Sequence, residues 1–309
     1  MSRKVLITAK VHPYLIDQLE TKGFEPVYLP AITYEEVYTE IPECVGLIVT
    51  TRIRVDKQII DHARNLQWIG RLGSGMELID VAYAESKGIH CVSSPEGNQD
   101  PVGEQAVGML LALMHNILKS NLELRKGIWE RDGNRAWELG GKTVAIIGYG
   151  HTGSTFAHKL SGFGVNIIAY DKYRKGFGNA TVKEVSLEEV FRDADIVSLH
   201  LPLTDETRHI ANSAFFRSFA RPIWFMNTAR GKLVNNPDLI AALEDGRVQG
   251  ACLDVLENEK LNTYTEEEKA QLAFFLAAPN VVVTPHIAGY SHEASIRMPR
   301  VVLEKLNIL

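Results

Sequence analysis

Cysteine is scarce in this chain, with three among 309 residues. Cys44, Cys91 and Cys252 stand singly in apolar segments. None has the spacing of a metal-ligand set, so no metal is expected, and the disulfide framework of a small secreted domain is excluded. Buried thiols in a reducing cytoplasm are the expectation. An apolar run of membrane-spanning length is also missing. The N-terminal stretch before Ala9 is too short for a signal peptide and runs directly into a strand-like segment. Basic charge is not in excess: the net charge is -5, which argues against nucleic acid or a membrane surface as the main partner. Low-complexity segments and internal repeats are absent. What remains, 45% hydrophobic and 23% charged residues, is the composition of an ordinary globular protein long enough for two domains.

Short β-like runs alternate with helical stretches throughout. The first part offers strands at Lys4–Ala9, Val45–Thr50, Trp68–Leu72 and His90–Val92. Helix-like patterns or caps lie between them at Pro13–Lys22, Thr33–Ile41, Asp56–Ala63 and Asp80–Lys87. Such alternation predicts parallel sheets covered on both faces. A long helix is expected to begin near Asp100-Pro101 and run through Val102–Lys119. Further strands follow at Thr143–Ile147, Asn166–Tyr170, Ile196–Leu199, Ile223–Asn227, Gly250–Leu253 and Val281–Val283. An acidic surface loop, Glu257–Lys269, is predicted to turn into a helix near Thr265. Glu293–Leu309 reads as a helix returning to the first domain. The expected architecture is α/β, with two Rossmann-like or flavodoxin-like domains. Residues 99–287 would form a cofactor domain inserted into a discontinuous substrate domain, 1–98 with 288–309.

The second half carries the most specific pattern. Val144-Ala145-Ile146-Ile147 feeds into Gly148-Tyr149-Gly150-His151-Thr152-Gly153, and Val165–Tyr170 ends on Asp171. This is a strand, a glycine turn, a helix, a second strand and an acidic residue about 20 positions on, the dinucleotide-binding fingerprint. Gly148 permits the tight turn, Gly150 the approach of a pyrophosphate, and Gly153 close packing of helix on sheet. The helix N-terminus, opening with His151 and Thr152, offers N–H groups to phosphate. Asp171 accepts from ribose hydroxyls and repels a 2′-phosphate, which favours NAD over NADP. The cations Lys172, Arg174 and Lys175 follow it and read as a solvated basic turn, though they leave room for a 2′-phosphate.

Three segments follow late strands, where open α/β sheets place ligands: Asn227–Gly231, Asp254–Glu259 and Thr284–Gly289. Singly, Arg230, Glu259 and His286 read as surface or loop residues. Together at one sheet edge they suit hydride transfer involving a hydroxy acid. An imidazole, whose ordinary pKa lies near neutrality, supplies the proton. Glu259 beside it would steady the imidazolium, and the Arg230 fork would hold a carboxylate and polarise the keto oxygen.

These residues resemble the D-isomer-specific 2-hydroxyacid dehydrogenases over nearly the whole chain. Gly70-Arg71-Leu72-Gly73-Ser74-Gly75 with Ile79-Asp80, Ser94-Pro95-Glu96-Gly97-Asn98 with Val102-Gly103-Glu104, the fingerprint, His200-Leu201-Pro202-Leu203-Thr204 and the three late segments carry the similarity. The resemblance implies Arg230, Glu259 and His286 as the catalytic set, with Asp254 close to the nicotinamide. Pro202, Thr207, Thr228, Ala229 and Gly289 would line the cofactor cleft, and the N–H groups of Ser74 and Gly75 would meet the substrate carboxylate. It also implies a homodimer formed largely through the cofactor domains. Two departures stand out: His151, where many relatives carry Arg, and Lys260, where relatives usually have Pro.

Within the family, Gly46–Val49, Gly70-Arg71 and Lys126–Arg131 are similar to D-3-phosphoglycerate dehydrogenases of serine biosynthesis. A substrate phosphate needs further cations, and Arg52, Arg54 and Arg71 follow first-domain strands where they could supply them. Arg131 or Arg135 could reach in from a dimer mate. No C-terminal regulatory module is expected. The alternatives are a hydroxypyruvate/glyoxylate or D-lactate-type reductase on the same scaffold, and an NAD-sensing interaction protein akin to transcriptional corepressors.

Overall fold

The computed structural model describes residues 3–309 and divides them into two compact units. One holds the chain up to Pro101 together with Gly289–Leu309; the other is Val102–Ala288. In the first unit, β1 (Lys4–Ile7), α1 (Pro13–Thr21), β2 (Glu25–Tyr28), α2 (Tyr34–Glu40), β3 (Cys44–Val49), α3 (Lys57–His62), β4 (Trp68–Arg71), α4 (Val81–Ser86) and β5 (His90–Ser93) alternate in chain order. The five strands form a parallel sheet of order β2-β1-β3-β4-β5. Period-two alternation sends Leu6 into a core with Leu47 and Ile69 on one face, and Val5 and Ile7 into a core with Ile48, Trp68, Val302 and Leu303 on the other. Both faces are therefore covered. The predicted helix starts are made by side-chain caps: Thr33 and Glu36 form a capping box, and Asp56 and Asp80 accept from first-turn N–H groups.

The long helix differs from expectation. α5 spans Pro95–Met114, so it begins five residues before Asp100 and carries Pro101 in its interior. Pro95, not Pro101, is the proline at the first helical position, where its preset φ suits a helix start. Pro101 has no N–H for the carbonyl four residues back, Gly97, and the Arg297 Nε donates to that carbonyl instead, at 3.2 Å. The far end stops short of Lys119: Asn116 adopts a left-handed φ of 53°, and a second helix, α6 (Ile117–Arg125), starts beyond it.

In the second unit, β6 (Thr143–Ile147), α7 (His151–Leu160), β7 (Asn166–Tyr170), β8 (Val182–Glu184), α8 (Leu187–Asp193), β9 (Ile196–Leu199), α9 (Ser213–Ser218), β10 (Ile223–Asn227), α10 (Asn236–Glu244), β11 (Val248–Leu253), α11 (Glu266–Ala277) and β12 (Val281–Val283) build a parallel sheet of order β12-β11-β10-β9-β6-β7-β8. The order reverses at β6, which lies between β9 and β7, so the crevice beside the β6 end is the switch point where such sheets bind ligands. Val144 and Ile146 point to one buried layer, Ala145 and Ile147 to the other. The predicted Rossmann strands all form, and α11 starts at its Thr265 cap. α12 (His292–Lys305) packs on α1, β4 and β5 of the first unit.

No described helix is long and apolar enough to cross a membrane. Cys44 and Cys252 are buried and Cys91 is half-buried; all three are free. Burial pushes the thiols of Cys44 and Cys91 up to about 11, leaving them protonated.

Candidate active site

The glycine turn after β6 has the shape its residues dictate. Gly148 sits at φ +95°, and a Cβ there would lie 2.5 Å from the His200 carbonyl oxygen. A Cβ on Gly153 would lie 2.1 Å from the Gly148 carbonyl oxygen, whereas one on Gly150 would meet nothing within 4 Å. Two glycines allow close packing, and the third leaves open space. Gly150 caps α7 without a side chain, and among the described residues the N–H groups of Thr152 and Gly153 find no acceptor. His151, exposed, is the first residue of the helix. An anion is the natural occupant of such an end.

Asp171 lies at the end of β7. Its Oδ2 accepts from the Tyr149 N–H and its Oδ1 from those of Tyr173 and Arg174, each at 2.9 Å. Burial pushes its carboxyl up, but these donors and the Arg174 charge outweigh burial and hold it below the usual carboxylate range. The basic turn after it is not simply solvated. Lys172 pairs with Glu206, Arg174 donates to the Tyr149 carbonyl, and Lys175 donates to the Asp171 carbonyl. Thr207 closes the turn after Pro202, donating to the Pro202 carbonyl at 2.7 Å and accepting from the Thr204 N–H.

After β10, the fully buried Asn227 ties the loop to itself: its Nδ2 donates to the Arg230 carbonyl at 2.9 Å and its Oδ1 accepts from the Ala229 N–H at 3.1 Å. Arg230 is half-buried, and its Nη1 donates to the Ala229 carbonyl at 2.7 Å. The Thr228 hydroxyl oxygen is buried without a partner, an orphan that a bound group would satisfy. This orphan, the open space at Gly150 and the exposed helix end together fit a dinucleotide.

The late loops meet. A Cβ on Gly231 would lie 1.9 Å from the Leu256 carbonyl oxygen, so the Arg230 loop packs directly on the loop that carries Glu259. Glu257 joins them further, accepting from the Asn236 N–H at 2.9 Å and bonding His209 Nε2 at 2.8 Å. Asn258 shapes the Glu259 turn: its carbonyl accepts from the Tyr264 hydroxyl at 2.5 Å, and its Oδ1 accepts from the Lys260 N–H at 3.0 Å. A proline at position 260 could not make that last bond.

Glu259 and His286 are together: Oε2 and Nδ1 are 2.8 Å apart, with both side chains about four-tenths exposed (44% and 40%). Nε2 is the ring nitrogen left facing away from the carboxylate. His286 is held at a left-handed φ of 54°, rare for a residue with a Cβ. What holds it is Asp254, 1% exposed: its main-chain oxygen accepts from the His286 N–H at 2.7 Å, Oδ1 from the Thr284 hydroxyl at 2.5 Å and the Ile287 N–H at 2.9 Å, and Oδ2 from the Ala288 N–H at 2.9 Å. Asp254 thus acts on the histidine loop; the resemblance had suggested only that it lies near the nicotinamide.

In the first unit, Ser74 and Gly75 lie in the loop after β4. The loop is tied down by Ser94, whose hydroxyl accepts from the Gly73 N–H at 2.9 Å, and by a Ser74–Asn98 bond of 3.0 Å. Among the described residues the N–H groups of Ser74 and Gly75 find no acceptor. Gly289 belongs to this unit, not to the cofactor unit. The Arg52 guanidinium donates to the carbonyls of Thr8, Pro30, Ala31 and Ile32, bracketing the ends of β1 and β2. Arg71 folds over Gly73 onto the Leu72 carbonyl. Arg54 and Lys57 instead line a cavity of about 450 Å³ with Glu77 and Leu78. Among the described residues, no group of three His, Cys, Asp or Glu side chains could hold a metal.

Sequence reasoning missed the roles of Asn227, Gly231 and Glu257. Asn227 and Gly231 flank Arg230 in the sequence, which was the one signal available.

Residues 107–288 match the family model described as "D-isomer specific 2-hydroxyacid dehydrogenase, NAD binding domain". A hydroxypyruvate reductase from Thermotoga maritima is 36% identical over 88% of this chain and 87% of its own length. A D-3-phosphoglycerate dehydrogenase from Methanocaldococcus jannaschii is 33% identical over 98% of this chain but only 56% of its own, so the chain spans little more than half of that relative. The crystal structure of a D-2-hydroxyisocaproate dehydrogenase superposes with a TM-score of 0.87 at 26% identity, covering 98% of this chain and 95% of the other.

Proposed function

The chain belongs to the D-isomer-specific 2-hydroxyacid dehydrogenases, NAD-dependent oxidoreductases acting on CH–OH donors, and from that membership we propose that its substrate pair is D-3-phosphoglycerate and 3-phosphohydroxypyruvate. The observation that carries the catalytic part is the 2.8 Å Glu259–His286 bond. NAD, when bound, exchanges a hydride with C2 of the substrate. In the reducing direction His286 Nε2 gives a proton to the keto oxygen, and in the oxidising direction it takes the proton back. Glu259, on Nδ1, fixes the ring and steadies its positive charge. Arg230 takes the carboxylate and polarises the keto oxygen, with the N–H groups of Ser74 and Gly75 as further carboxylate donors. Thr152, Gly153 and Asp171 hold the dinucleotide, and the orphan Thr228 hydroxyl turns to it.

One thing supports a phosphorylated substrate: phosphoglycerate dehydrogenases from yeast, archaea and mammals match 94–98% of the chain. Arg54 and Lys57 share one cavity, but the carboxylates of Asp56, Glu77 and Asp80 line it too. A second reading, hydroxypyruvate reduction, is favoured by the 36% identity to the Thermotoga enzyme and by Arg52 and Arg71 being turned onto main-chain carbonyls. Arg54→Ala separates them. If Arg54 binds phosphate, KM for 3-phosphohydroxypyruvate rises at least tenfold while KM for hydroxypyruvate stays within about twofold, taking one charge-assisted hydrogen bond as the loss. Equal effects on both would exclude Arg54 as a phosphate ligand.

We also propose a cytoplasmic homodimer with a place in serine biosynthesis. An exposed apolar segment supports the dimer: Leu122, Leu124, Ile128, Trp129 and Trp137 are each at least half exposed, Trp129 at 80%. Sedimentation equilibrium of the Trp129→Lys variant against the parent protein tests it.

A further inference from the structure

His200 is a buried titratable group with no part in the reaction just described. It follows β9 directly and touches the dinucleotide turn in three ways. Its N–H donates to the Ile147 carbonyl at 2.8 Å, the last residue of β6. Its carbonyl fills the space that a side chain on Gly148 would need. Its imidazole reaches the first turn of α7, where Nδ1 lies 3.1 Å from the Thr152 hydroxyl. The other ring nitrogen, Nε2, lies 2.9 Å from the hydroxyl of fully buried Ser198. The ring is also 5.4 Å from that of Phe156, one turn further along the same helix.

A neutral imidazole has one donor and one acceptor, and each hydroxyl can donate or accept. Ser198, His200 and Thr152 therefore form a satisfied relay with the proton on either nitrogen. The relay needs no charge, and none is provided: among the described residues the ring nitrogens meet only the two hydroxyls, and the residue is buried. Its geometric consequence is specific. Thr152 is the second residue of α7, and its N–H is one of the donors open at the helix end. A threonine hydroxyl there could instead rotate to other partners near the helix end. Bonded to His200, the side chain is drawn beneath the helix and the N–H stays presented.

We propose that His200 is a positioning residue for pyrophosphate: through Thr152 it sets the direction of the N–H groups at the start of α7. The proposal rests on dinucleotide binding alone and is independent of which hydroxy acid is turned over.

The test uses two probes on the intact protein, ADP and adenosine. Both engage the adenosine end, but only ADP carries phosphates to the helix. In His200→Phe and in Thr152→Val, ADP should bind roughly tenfold more weakly, the scale of one well-oriented hydrogen bond. Adenosine should bind within about twofold of the parent. The double variant should be no worse than either single one, because both remove the same link. His200→Asn, which keeps a polar group near Nδ1, should recover part of the ADP affinity. In turnover, KM for NADH should rise while kcat at saturating NADH is held. If His200→Phe fails to fold, Thr152→Val, at a less buried site, carries the test. A parallel loss of ADP and adenosine affinity, or ADP binding unchanged in folded variants, would overturn the proposal and leave His200 as a core residue.

Discussion

The sharpest consequence of the site's construction concerns Gly231, which no chemistry requires to be glycine. An added Cβ would lie 1.9 Å from the Leu256 carbonyl oxygen and 2.0 Å from its carbon. Ordinary contact begins near 3.4 Å, so the two loops must part by about 1.5 Å, and a main-chain obstacle cannot rotate away. Arg230 precedes the glycine, and Glu259 lies three residues beyond Leu256. Gly231→Ala therefore separates Arg230, the proposed carboxylate-binding cation, from the proposed acid–base pair of Glu259 and His286. A displacement near 1 Å costs about 10²-fold in rate when reacting groups must be aligned. The expected loss in kcat/KM is at least that, accompanied by about 1–3 kcal/mol of stability from overpacking. The assay is NADH oxidation with a 2-keto acid, run beside ADP binding and urea unfolding. ADP affinity should be unchanged, since the α7 end stands on a different strand. Gly162→Ala is the control, because its Cβ would enter open space. A folded Gly231→Ala protein with kcat/KM within threefold of the parent would refute the coupling of the two loops.

Other outcomes follow from the same geometry. Asp254→Asn places an amide donor against one of the N–H or O–H donors that the carboxylate now receives; kcat should fall by about 10²-fold, and stability by roughly 2–3 kcal/mol, with NADH binding little changed. Burial holds the His200 imidazole down at about 3 from its ordinary 6.5. The unfolded chain takes up this proton below pH 6.5 and the folded chain does not, so stability is full above 6.5 and falls by about 1.4 kcal/mol per pH unit toward pH 3. The unfolding free energy from urea titrations across that range should lose this contribution in His200→Phe, so that the parent's pH slope exceeds the variant's by one proton's worth. His286→Ala should abolish turnover while leaving NADH binding, read by fluorescence, nearly intact; preserved turnover would exclude it as the acid–base group.

The reasons for what could be read from sequence lie in the kinds of signal involved. Interior strands such as β6 and β10 are continuous apolar runs and were legible. β2 and β8 were not: both are short edge strands, β2 carries Pro26, and an edge half exposed to solvent has little apolar pattern. The start of α5 was misplaced because two prolines, Pro95 and Pro101, each look like a first-turn residue; only the Arg297 side chain, 200 residues away, lets the second lie inside the helix. At the site, residue type and order pointed to Arg230, Glu259 and His286. The bracketing by Asp254 and the contact at Gly231 depend on main-chain groups distant in sequence, and the His200 relay on a Thr152 hydroxyl 48 residues away, none of which a residue pattern encodes. The same holds for Arg52, whose place after a strand suggested a ligand but whose donors meet four carbonyls.

The most direct measurement is absorbance at 340 nm with NADH against 3-phosphohydroxypyruvate, hydroxypyruvate, glyoxylate and pyruvate, with the chirality of the product determined. The account predicts turnover that yields the D-2-hydroxy acid, with kcat/KM highest for the phosphorylated substrate. A preference for hydroxypyruvate would keep the chemistry and replace the proposed substrate. An L-hydroxy acid product, or no turnover of any 2-keto acid by protein that binds NADH, would contradict the catalytic assignment of Arg230, Glu259 and His286.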